Sequence, residues 1–447
     1  MSGKECFEIL DKIFLPKKME NIENIKGYTM KYGHIVENLK EYDGFEVPES
    51  AIVDEVLVSY FKEPMSYTTE NMCEINTHGG NIVVKKILEL CLKNGAEMAE
   101  PGEFTKRAFL NGRIDLLQAE SVIDIIDAKS ERELKAGMNQ LEGRVSKEIH
   151  DIKQKIMDVM VNVEVGIDYP EYDVEEVTNT EINEMLDVVI ADLSRLEKSF
   201  DNGKILKDGV KTAIIGKPNA GKSSLLNCIL NEERAIVTEI EGTTRDTIEE
   251  FVTVEGVPLK LIDTAGIREA KDEVEKIGIT KSKEIAKDAD LIIAIFDSSK
   301  DLTDEDKEIL DIIKNKTAIV VLNKMDLLNK IDENMAEIKN VSKYIVKMST
   351  LEQKGIDDLY KSIGNLFSME EISLDNTIVI TNVRHKNLIS KALNSCREAK
   401  KSMELGMPLD IIAIFLKEIL ENLGEITGET VTDDIIDEIF SKFCLGK

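Results

Sequence analysis

The chain has 447 residues, enough for roughly two to four domains with sizeable cores. It carries 86 acidic residues against 57 basic ones, a formal net charge of −29. A surface this acidic repels the phosphate backbone of nucleic acids, which excludes broad, non-specific binding to them. An RNA substrate would therefore need a local basic site or a basic partner.

Cysteine usage and hydropathy indicate the compartment. The six cysteines include no C-x-x-C pair, which argues against a disulfide framework or a zinc site and fits a reducing cytosol. No apolar run approaches the roughly 18 residues of a membrane span. Cys444 lies near the C-terminus, but Lys447 in the last position argues against prenylation. We therefore expect a cytoplasmic protein without a membrane partner.

Residues 1–112 mix β-like and helical runs. The pattern predicts strands at Tyr28–Val36, Ala51–Phe61 and Met72–Asn76, and helices at Ile82–Lys93 and Glu103–Asn111. This mixture is typical of an α+β domain.

Helical periodicity dominates residues 113–206 and returns over residues 369–447, where it includes helices at Pro408–Asn422 and Thr432–Phe443. Pro170 interrupts the first stretch, and helix is predicted to resume at Thr180. Between these stretches, strands and helices alternate over residues 207–368, which predicts a parallel sheet covered on both faces. The simplest assembly is an all-α domain with an inserted α/β P-loop domain that has a Ras-like parallel sheet.

Three segments in residues 207–368 follow predicted strands and carry nucleotide chemistry. Gly216-Lys-Pro-Asn-Ala-Gly-Lys-Ser-Ser224 fits the phosphate-binding loop G-x-x-x-x-G-K-[ST], in which Lys222 reaches the β and γ oxygens and Ser223 faces Mg²⁺. Asp263-Thr-Ala-Gly266 places a carboxylate at the metal's water shell. In Asn323-Lys-Met-Asp326, the last carboxylate can accept the N1–H and N2–H₂ of guanine, a donor pair that adenine lacks. The order predicts a GTP-binding domain.

Other residues bear on hydrolysis. Ile267 stands where Ras-like proteins have a glutamine that orients the attacking water, so another group must place that water. Asn219 either stabilises its loop or supplies an oxygen to a monovalent cation between the β- and γ-phosphates, and the nearby Gly242-Thr-Thr-Arg-Asp246 favours the potassium interpretation. Glu275 lies in a polar stretch that could orient water, although such charge runs are usually solvated.

Four segments together resemble the MnmE (TrmE) family of GTPases that modify the wobble uridine of tRNA. They are the loop from Asn219 to Ser223, Gly242-Thr-Thr-Arg-Asp246, Pro101–Phe109 and Phe443-Cys-Leu-Gly-Lys447, the second pair being specific to this family among GTPases. The resemblance covers essentially the whole chain. It implies an N-terminal domain for folate binding and dimerisation, followed by a helical domain with an inserted G domain.

The resemblance also implies residue roles. Potassium ligands would be Asn219, Thr238, Ile240 and Thr243, and magnesium ligands Ser223 and Thr244. Glu275 would position water, the role of Cys444 is open between chemistry and packing, and folate contacts would be Glu74, Arg113 and Lys447. The catalytic residues would be Lys222, Glu275 and Cys444. With the motifs, the GTP-binding residues are Asn219, Ala220, Gly221, Lys222, Ser223, Ser224, Thr238, Glu239, Ile240, Glu241, Gly242, Thr243, Thr244, Asp263, Thr264, Ala265, Gly266, Asn323, Lys324, Asp326 and Ser349.

Family members begin earlier, with a strand that ends in Arg-Ile-Ser-Gly, whereas this sequence starts at Met1-Ser2-Gly3. The missing strand would belong to the sheet of the N-terminal domain, and the missing arginine is a folate contact in the family. Either the start of the sequence is misassigned or the folate site of this form is weakened. The resemblance implies a homodimer that works with the flavoprotein MnmG (GidA), which supplies FAD and most tRNA contacts. Together they would add an aminomethyl or carboxymethylaminomethyl group at C5 of the wobble uridine, with methylene-tetrahydrofolate as the carbon source.

Two other functions compete with this one. A ribosome-assembly or regulatory GTPase of the Era or Der type shares the nucleotide motifs, but it would carry a basic KH-like module, and this sequence has no G-x-x-G loop in a basic setting. A structural scaffold with a vestigial nucleotide site is disfavoured because Lys222, Ser223, Asp263 and Asp326 are all intact.

Overall fold

The computed structural model describes residues 1–18, 27–42, 47–168, 175–231, 250–262, 278–331, 335–367 and 378–446. They belong to two units, one formed by residues 1–123 with 424–447 and the other by residues 124–423. The predicted fold class, with α+β, all-α and α/β parts, is confirmed. The domain boundaries given above stay predictions.

The described helices, in chain order, are α1 (Cys6–Asp11), α2 (Asn81–Lys93), α3 (Glu103–Leu110), α4 (Leu116–Ile126), α5 (Glu131–Leu141), α6 (Arg144–Asp168), α7 (Glu175–Asp208), α8 (Lys222–Asn231), α9 (Gly278–Asp288), α10 (Asp304–Ile313), α11 (Ala336–Lys339), α12 (Ile356–Leu366), α13 (Val383–Glu404), α14 (Leu409–Thr427) and α15 (Asp433–Ser441). The described strands are β1 (Phe14–Pro16), β2 (Thr29–Val36), β3 (Ile52–Phe61), β4 (Met72–Asn76), β5 (Val210–Gly216), β6 (Glu250–Val254), β7 (Val257–Leu261), β8 (Leu291–Asp297), β9 (Ala318–Asn323) and β10 (Tyr344–Lys347).

In the first unit, β1 to β4 form an antiparallel sheet in sequential order. Alternate residues of β3, Val56, Val58 and Tyr60, join a core with residues of α1 and α2 because successive side chains of a strand point to opposite faces. The first residues lie alongside β4: Ser2 pairs with Met72 in an antiparallel bridge.

A second core in this unit joins α3 and α4 to α15 and the C-terminal segment, with Ala108, Leu116, Phe440 and Phe443 buried together. The turn before α3 requires a glycine. At Gly102 the φ angle is +70°, and a Cβ atom there would lie 2.8 Å from the Cβ of Phe443.

The helices α6, α7, α13 and α14 of the second unit are amphipathic. On α6, for example, Ile149, Ile152, Ile156 and Val159 are buried at three- and four-residue steps. The helix predicted to resume at Thr180 begins earlier, since α7 starts at Glu175. Pro170 lies outside the described residues. Within the ranges given above, no helix has the length and apolar character needed to cross a membrane.

The second sheet has the order β10-β9-β8-β5-β7-β6. The predicted parallel pairing holds for five strands, whereas β6 runs antiparallel to β7 because a tight turn, Glu255-Gly256 with φ angles of +48° and +74°, joins them. Separate apolar cores cover the two faces. The carboxyl ends of β5, β8 and β9 therefore meet at one edge, where ligands bind in open α/β sheets.

Candidate functional site

The phosphate loop connects β5 to α8 and depends on glycine at its start. A Cβ atom at Gly216 would lie 2.5 Å from the carbonyl oxygen of Ile295, so only glycine lets the end of β5 pack this closely on β8. Asn219 and Gly221 have φ angles of +61° and +112°, in the left-handed region. Left-handed residues in such a loop turn successive backbone N–H groups toward a common anion.

Lys222 spans this loop. Its Nζ donates to the carbonyl oxygens of Gly216 at 2.8 Å and Lys217 at 2.9 Å, which places the ammonium group at the loop's centre. Ser223 and Ser224 follow in the first turn of α8 and are exposed. Because the N-terminus of a helix carries partial positive charge, this arrangement suits the β- and γ-phosphates. The Ser223 hydroxyl is a hard oxygen ligand, which fits Mg²⁺.

Asn323 joins the phosphate loop to the loop after β10. It is completely buried, and its Nδ2 donates to the Ala220 carbonyl oxygen at 2.8 Å and to Thr350 Oγ1 at 3.2 Å. Its Oδ1 accepts from the Thr350 backbone N–H at 3.0 Å. The structure thus brings Asn323 and Ala220 together, and the Asn323 amide connects the phosphate loop to the loop after β10.

Asp326 and Ser349 form the predicted guanine end of the site. The Ser349 hydroxyl donates to Oδ1 of Asp326 at 2.6 Å, while Asp326 itself is exposed. A short hydrogen bond to an ionised acceptor is among the stronger kinds and fixes the orientation of the carboxylate. One face of Asp326 is therefore held in place and the other is accessible to a pair of N–H donors.

Asp297, at the end of β8, was not identified from the sequence. It pairs in register with Asn323, and its Oδ2 accepts from Nζ of Lys324 at 2.8 Å. Burial acts to raise the pKa of Asp297, but hydrogen bonds from Lys324 and Ser299 outweigh it and hold the pKa below its ordinary value. The carboxylate thus stays charged and fixes Lys324, whose φ is +63°. The sequence signal that could have identified Asp297 is the apolar run of residues 291–296, which predicts a buried strand that ends at this acid.

Several predicted site residues lie outside the described residues. These are Thr238, Glu239, Ile240, Glu241, Gly242, Thr243, Thr244, Asp263, Thr264, Ala265, Gly266, Glu275 and, for folate, Lys447. Ile267 also lies outside them.

The remaining predicted folate residues lie in the first unit. Glu74 is exposed on β4 opposite Ser59, and the guanidinium carbon of Arg113 lies 4.4 Å from the ring centroid of Tyr67. Among described residues, no hydrogen bond or ion pair joins Glu74 to Arg113. Cys444 is exposed, and its carbonyl oxygen accepts from the backbone N–H of Gly102 at 3.3 Å.

The same unit contains a cavity of about 820 Å³, lined by residues that include Met1, Cys6, Glu70, Glu103 and Arg107. Arg107 there forms ion pairs with both glutamates, which lowers the pKa of Glu103 against the opposing effect of its burial. Neither Glu74 nor Arg113 lines this cavity, so it does not bring the predicted folate contacts together.

Comparisons with known proteins extend over the whole chain. The family model of the MnmE helical domain matches residues 116–444, and that of the GTP-binding protein TrmE N-terminus matches residues 1–113. The tRNA modification GTPase MnmE of Thermoanaerobacter pseudethanolicus is 50% identical over 450 residues, covering 100% of this chain and 95% of the relative. That of Clostridioides difficile is 48% identical over 449 residues, with the same coverage.

Among solved structures, Aquifex aeolicus Era bound to GDP and AlF₄⁻ is 26% identical and covers 42% of this chain and 66% of its own. Its TM-score of 0.27 is too low to support a conclusion about function.

Proposed function

Because this chain belongs to the MnmE family of tRNA modification GTPases, we propose that potassium and the meeting of two G domains in a homodimer activate its GTP hydrolysis. The hydrolysis of GTP, coupled to tRNA modification, is the activity of the family. The proposal concerns how that hydrolysis is switched on and which molecules take part in the modification.

The site at the carboxyl edge of the second sheet supports the choice of nucleotide, and the position of Asn219 carries the proposal of potassium activation. There the phosphate loop and the residues that face guanine meet, joined through the buried amide of Asn323. Asp326, oriented by Ser349, supplies the acceptor for guanine, and Lys222 with the first turn of α8 supplies the positive charge for the phosphates. This combination supports GTP rather than ATP as the substrate.

Asn219 supports potassium as the activator. It stands in the left-handed conformation at the tip of the phosphate loop with an exposed side chain, so its amide oxygen is accessible to a cation beside the phosphates. A cation at that place neutralises charge in the transition state, as an arginine finger does, and such a finger is worth roughly 10³–10⁵ in rate. We propose that Thr238, Ile240 and Thr243 complete the potassium ligands.

The remaining hydrolytic roles follow the same proposal. Ser223 and Thr244 hold Mg²⁺. Glu275 positions the attacking water, a role that Ile267 cannot fill because its side chain has no hydrogen-bonding group. Lys222 stabilises the developing charge on the phosphates.

We further propose that a flavoprotein partner, MnmG, supplies FAD and most tRNA contacts in the cytoplasm, and that the product is the C5-substituted wobble uridine. The net charge of −29 supports this division because the chain itself repels RNA. A tetrahydrofolate derivative would contact Glu74, Arg113 and Lys447: a carboxylate suits the amino groups of a pterin, and the cations suit the glutamate tail. The domain organisation is the one stated above, with residues 207–368 inserted between the two helical parts.

The test compares GTP turnover by the full chain in potassium and sodium chloride at equal ionic strength, for the wild type and Asn219→Ala. We expect a sharp rise in potassium that the variant loses, whereas Asn329→Ala, an exposed asparagine outside the loop, keeps it. Equal wild-type rates in the two salts would refute the cation mechanism. Glu275→Ala is expected to keep GTP affinity and lose hydrolysis.

A second experiment addresses the modification. Nucleoside analysis of tRNA from cells without this gene should show unsubstituted wobble uridine, restored by the wild-type gene but not by Glu275→Ala. Unchanged C5 modification in the deletion strain would count against the proposed role.

A further inference from the structure

The hairpin formed by β6 and β7 links the two segments expected to sense the γ-phosphate. Residues 232–249, which contain the predicted metal-binding threonines, lead directly into β6, and β7 leads directly to the Asp263–Gly266 motif. The hairpin is held to the phosphate-loop strand by a short parallel ladder, from Val210 opposite Leu259 to Thr212 opposite Leu261. A shift of this hairpin therefore displaces, with respect to the phosphate loop, the ends of β6 and β7 to which both segments are joined.

Two cations at the junction of α4 and α5 contact this hairpin, and we call them the linker cations: Lys129, in the linker, and Arg132, in the first turn of α5. Nζ of Lys129 lies 3.7 Å from the ring centroid of Phe251 on β6, and the ring is buried. This is close enough for a strong cation–π contact, and burial of the ring reduces competition from water.

Arg132 lies against the turn of the hairpin. A Cβ atom at Gly256 would be 2.6 Å from Nε and 2.8 Å from Cζ of Arg132, so the guanidinium group lies directly on the glycine backbone. Its Nη1 is buried, and it has no hydrogen-bond partner among the residues that the structure describes. A buried donor without an acceptor is costly, and a shifted hairpin turn, with its carbonyl groups moved, can supply the acceptor.

The linker itself is firmly anchored. The Glu133 carboxylate accepts the backbone N–H of Lys129 at 2.7 Å, and the Ser130 hydroxyl caps α5 by accepting the backbone N–H of Glu133. Asp124, at the end of α4, pairs with Lys207 at 2.7 Å in the last turn of α7. The linker cations thus extend from a rigid base and contact the hairpin at two points, a strand face and the turn.

We propose that Lys129 and Arg132 are positioning residues for GTP hydrolysis, which act from the helical part of the chain by fixing the hairpin and, through it, the segments on either side. The inference rests on the GTPase activity of the family. Because coupling between two sites is reciprocal, a nucleotide that biases the hairpin also biases the linker. The contact is thus a physical route by which the state of the nucleotide reaches the helices.

The test uses the full chain with Lys129→Met and Arg132→Met, which keep an unbranched, largely apolar side chain and remove its charge. Lys198→Met is the matched control, because Lys198 is an exposed lysine on α7 of the same unit. We expect kcat for GTP in potassium to fall about five- to thirtyfold in the two linker variants. KM and the Kd values for GTP and GDP should change less than about twofold, because neither side chain is part of the phosphate loop or the guanine end.

A double-variant cycle separates positioning from simple loss of structure. Gly256→Ala should lower kcat because its methyl group displaces the guanidinium, and adding Arg132→Ala to it should cause little further loss. Additive effects on kcat would overturn the proposal, as would an unchanged kcat in the linker variants or a parallel loss of nucleotide affinity. If the wild type responds to potassium while the linker variants turn over normally, this inference alone fails and the proposed function stands.

Discussion

Replacement of Asn323 by alanine tests the role of this residue as the connection between the phosphate loop and the loop after β10. The substitution removes three hydrogen bonds at a fully buried position, to the Ala220 carbonyl, the Thr350 hydroxyl and the Thr350 backbone N–H. At about 1 kcal/mol for each bond, the G-domain unfolding free energy should fall by about 3 kcal/mol. Part of this loss should appear as weaker nucleotide binding, since we propose that the connected loops form the binding site.

We expect the Kd values for GTP and GDP to rise together by about ten- to a hundredfold, because none of the groups that Asn323 contacts is specific to the γ-phosphate. The assay is titration of fluorescent GDP and GTP analogues, with denaturant unfolding for stability. Asn329→Ala is the control: this exposed side chain accepts one hydrogen bond, from the Ser298 hydroxyl, and its loss should change the Kd values less than about threefold. A change in the ratio of the two Kd values in the Asn323 variant would refute the reasoning.

Three further predictions follow from the same geometry. Ser349→Ala should weaken guanine-nucleotide binding about tenfold by releasing Asp326, as measured by GDP titration; an unchanged Kd would contradict it. Gly216→Ala, whose methyl group would meet the Ile295 carbonyl, should abolish GDP binding, and full retention of binding by calorimetry would show the loop to be more tolerant. Burial raises the pKa of Glu133 from 4.5 to about 7, so its ionisation destabilises the folded state increasingly as pH rises through this window. Relative to wild type, Glu133→Gln should therefore gain up to about 3 kcal/mol of unfolding free energy at pH 8 and little at pH 5. Denaturant unfolding at the two pH values measures this difference, and a pH-independent result would contradict the prediction.

Sequence periodicity located most elements because burial on one face imposes it. The strand predicted at Ala51–Phe61 is β3, Ile52–Phe61, and the helix predicted at Glu103–Asn111 is α3, Glu103–Leu110. Short elements such as α1 and β1 are too short to show periodicity. The strand β8 has a different signal, an unbroken apolar run, but no motif in it drew attention to its end.

The roles of single side chains were predictable only where a motif fixes them. The motif predicts Asn323 as a nucleotide-binding residue, yet its hydrogen bond to Ala220 joins positions 103 apart in sequence, and a sequence pattern carries no such information. Arg132 is a charged residue at the start of a helix, which usually indicates a solvated face, whereas its Nη1 is buried against a turn. Asp297 is an intermediate case. Its place at the end of a parallel strand could have been predicted as part of a site, but its ion pair with Lys324 could not.

Strand β8, which carries no nucleotide motif, explains how two residues of the site are held in strained backbone conformations. Asn219 and Lys324 hold left-handed conformations that L-residues adopt at a cost of about 1 kcal/mol or more each, and such strain lasts only where the surroundings enforce it. The enforcing contacts come from β8: Ile295 packs on Gly216 at the start of the phosphate loop, and Asp297 holds the Lys324 side chain. Since both recognition loops are fixed by one central strand, a change at its end should disturb phosphate and guanine binding together, although no residue of β8 belongs to a nucleotide motif.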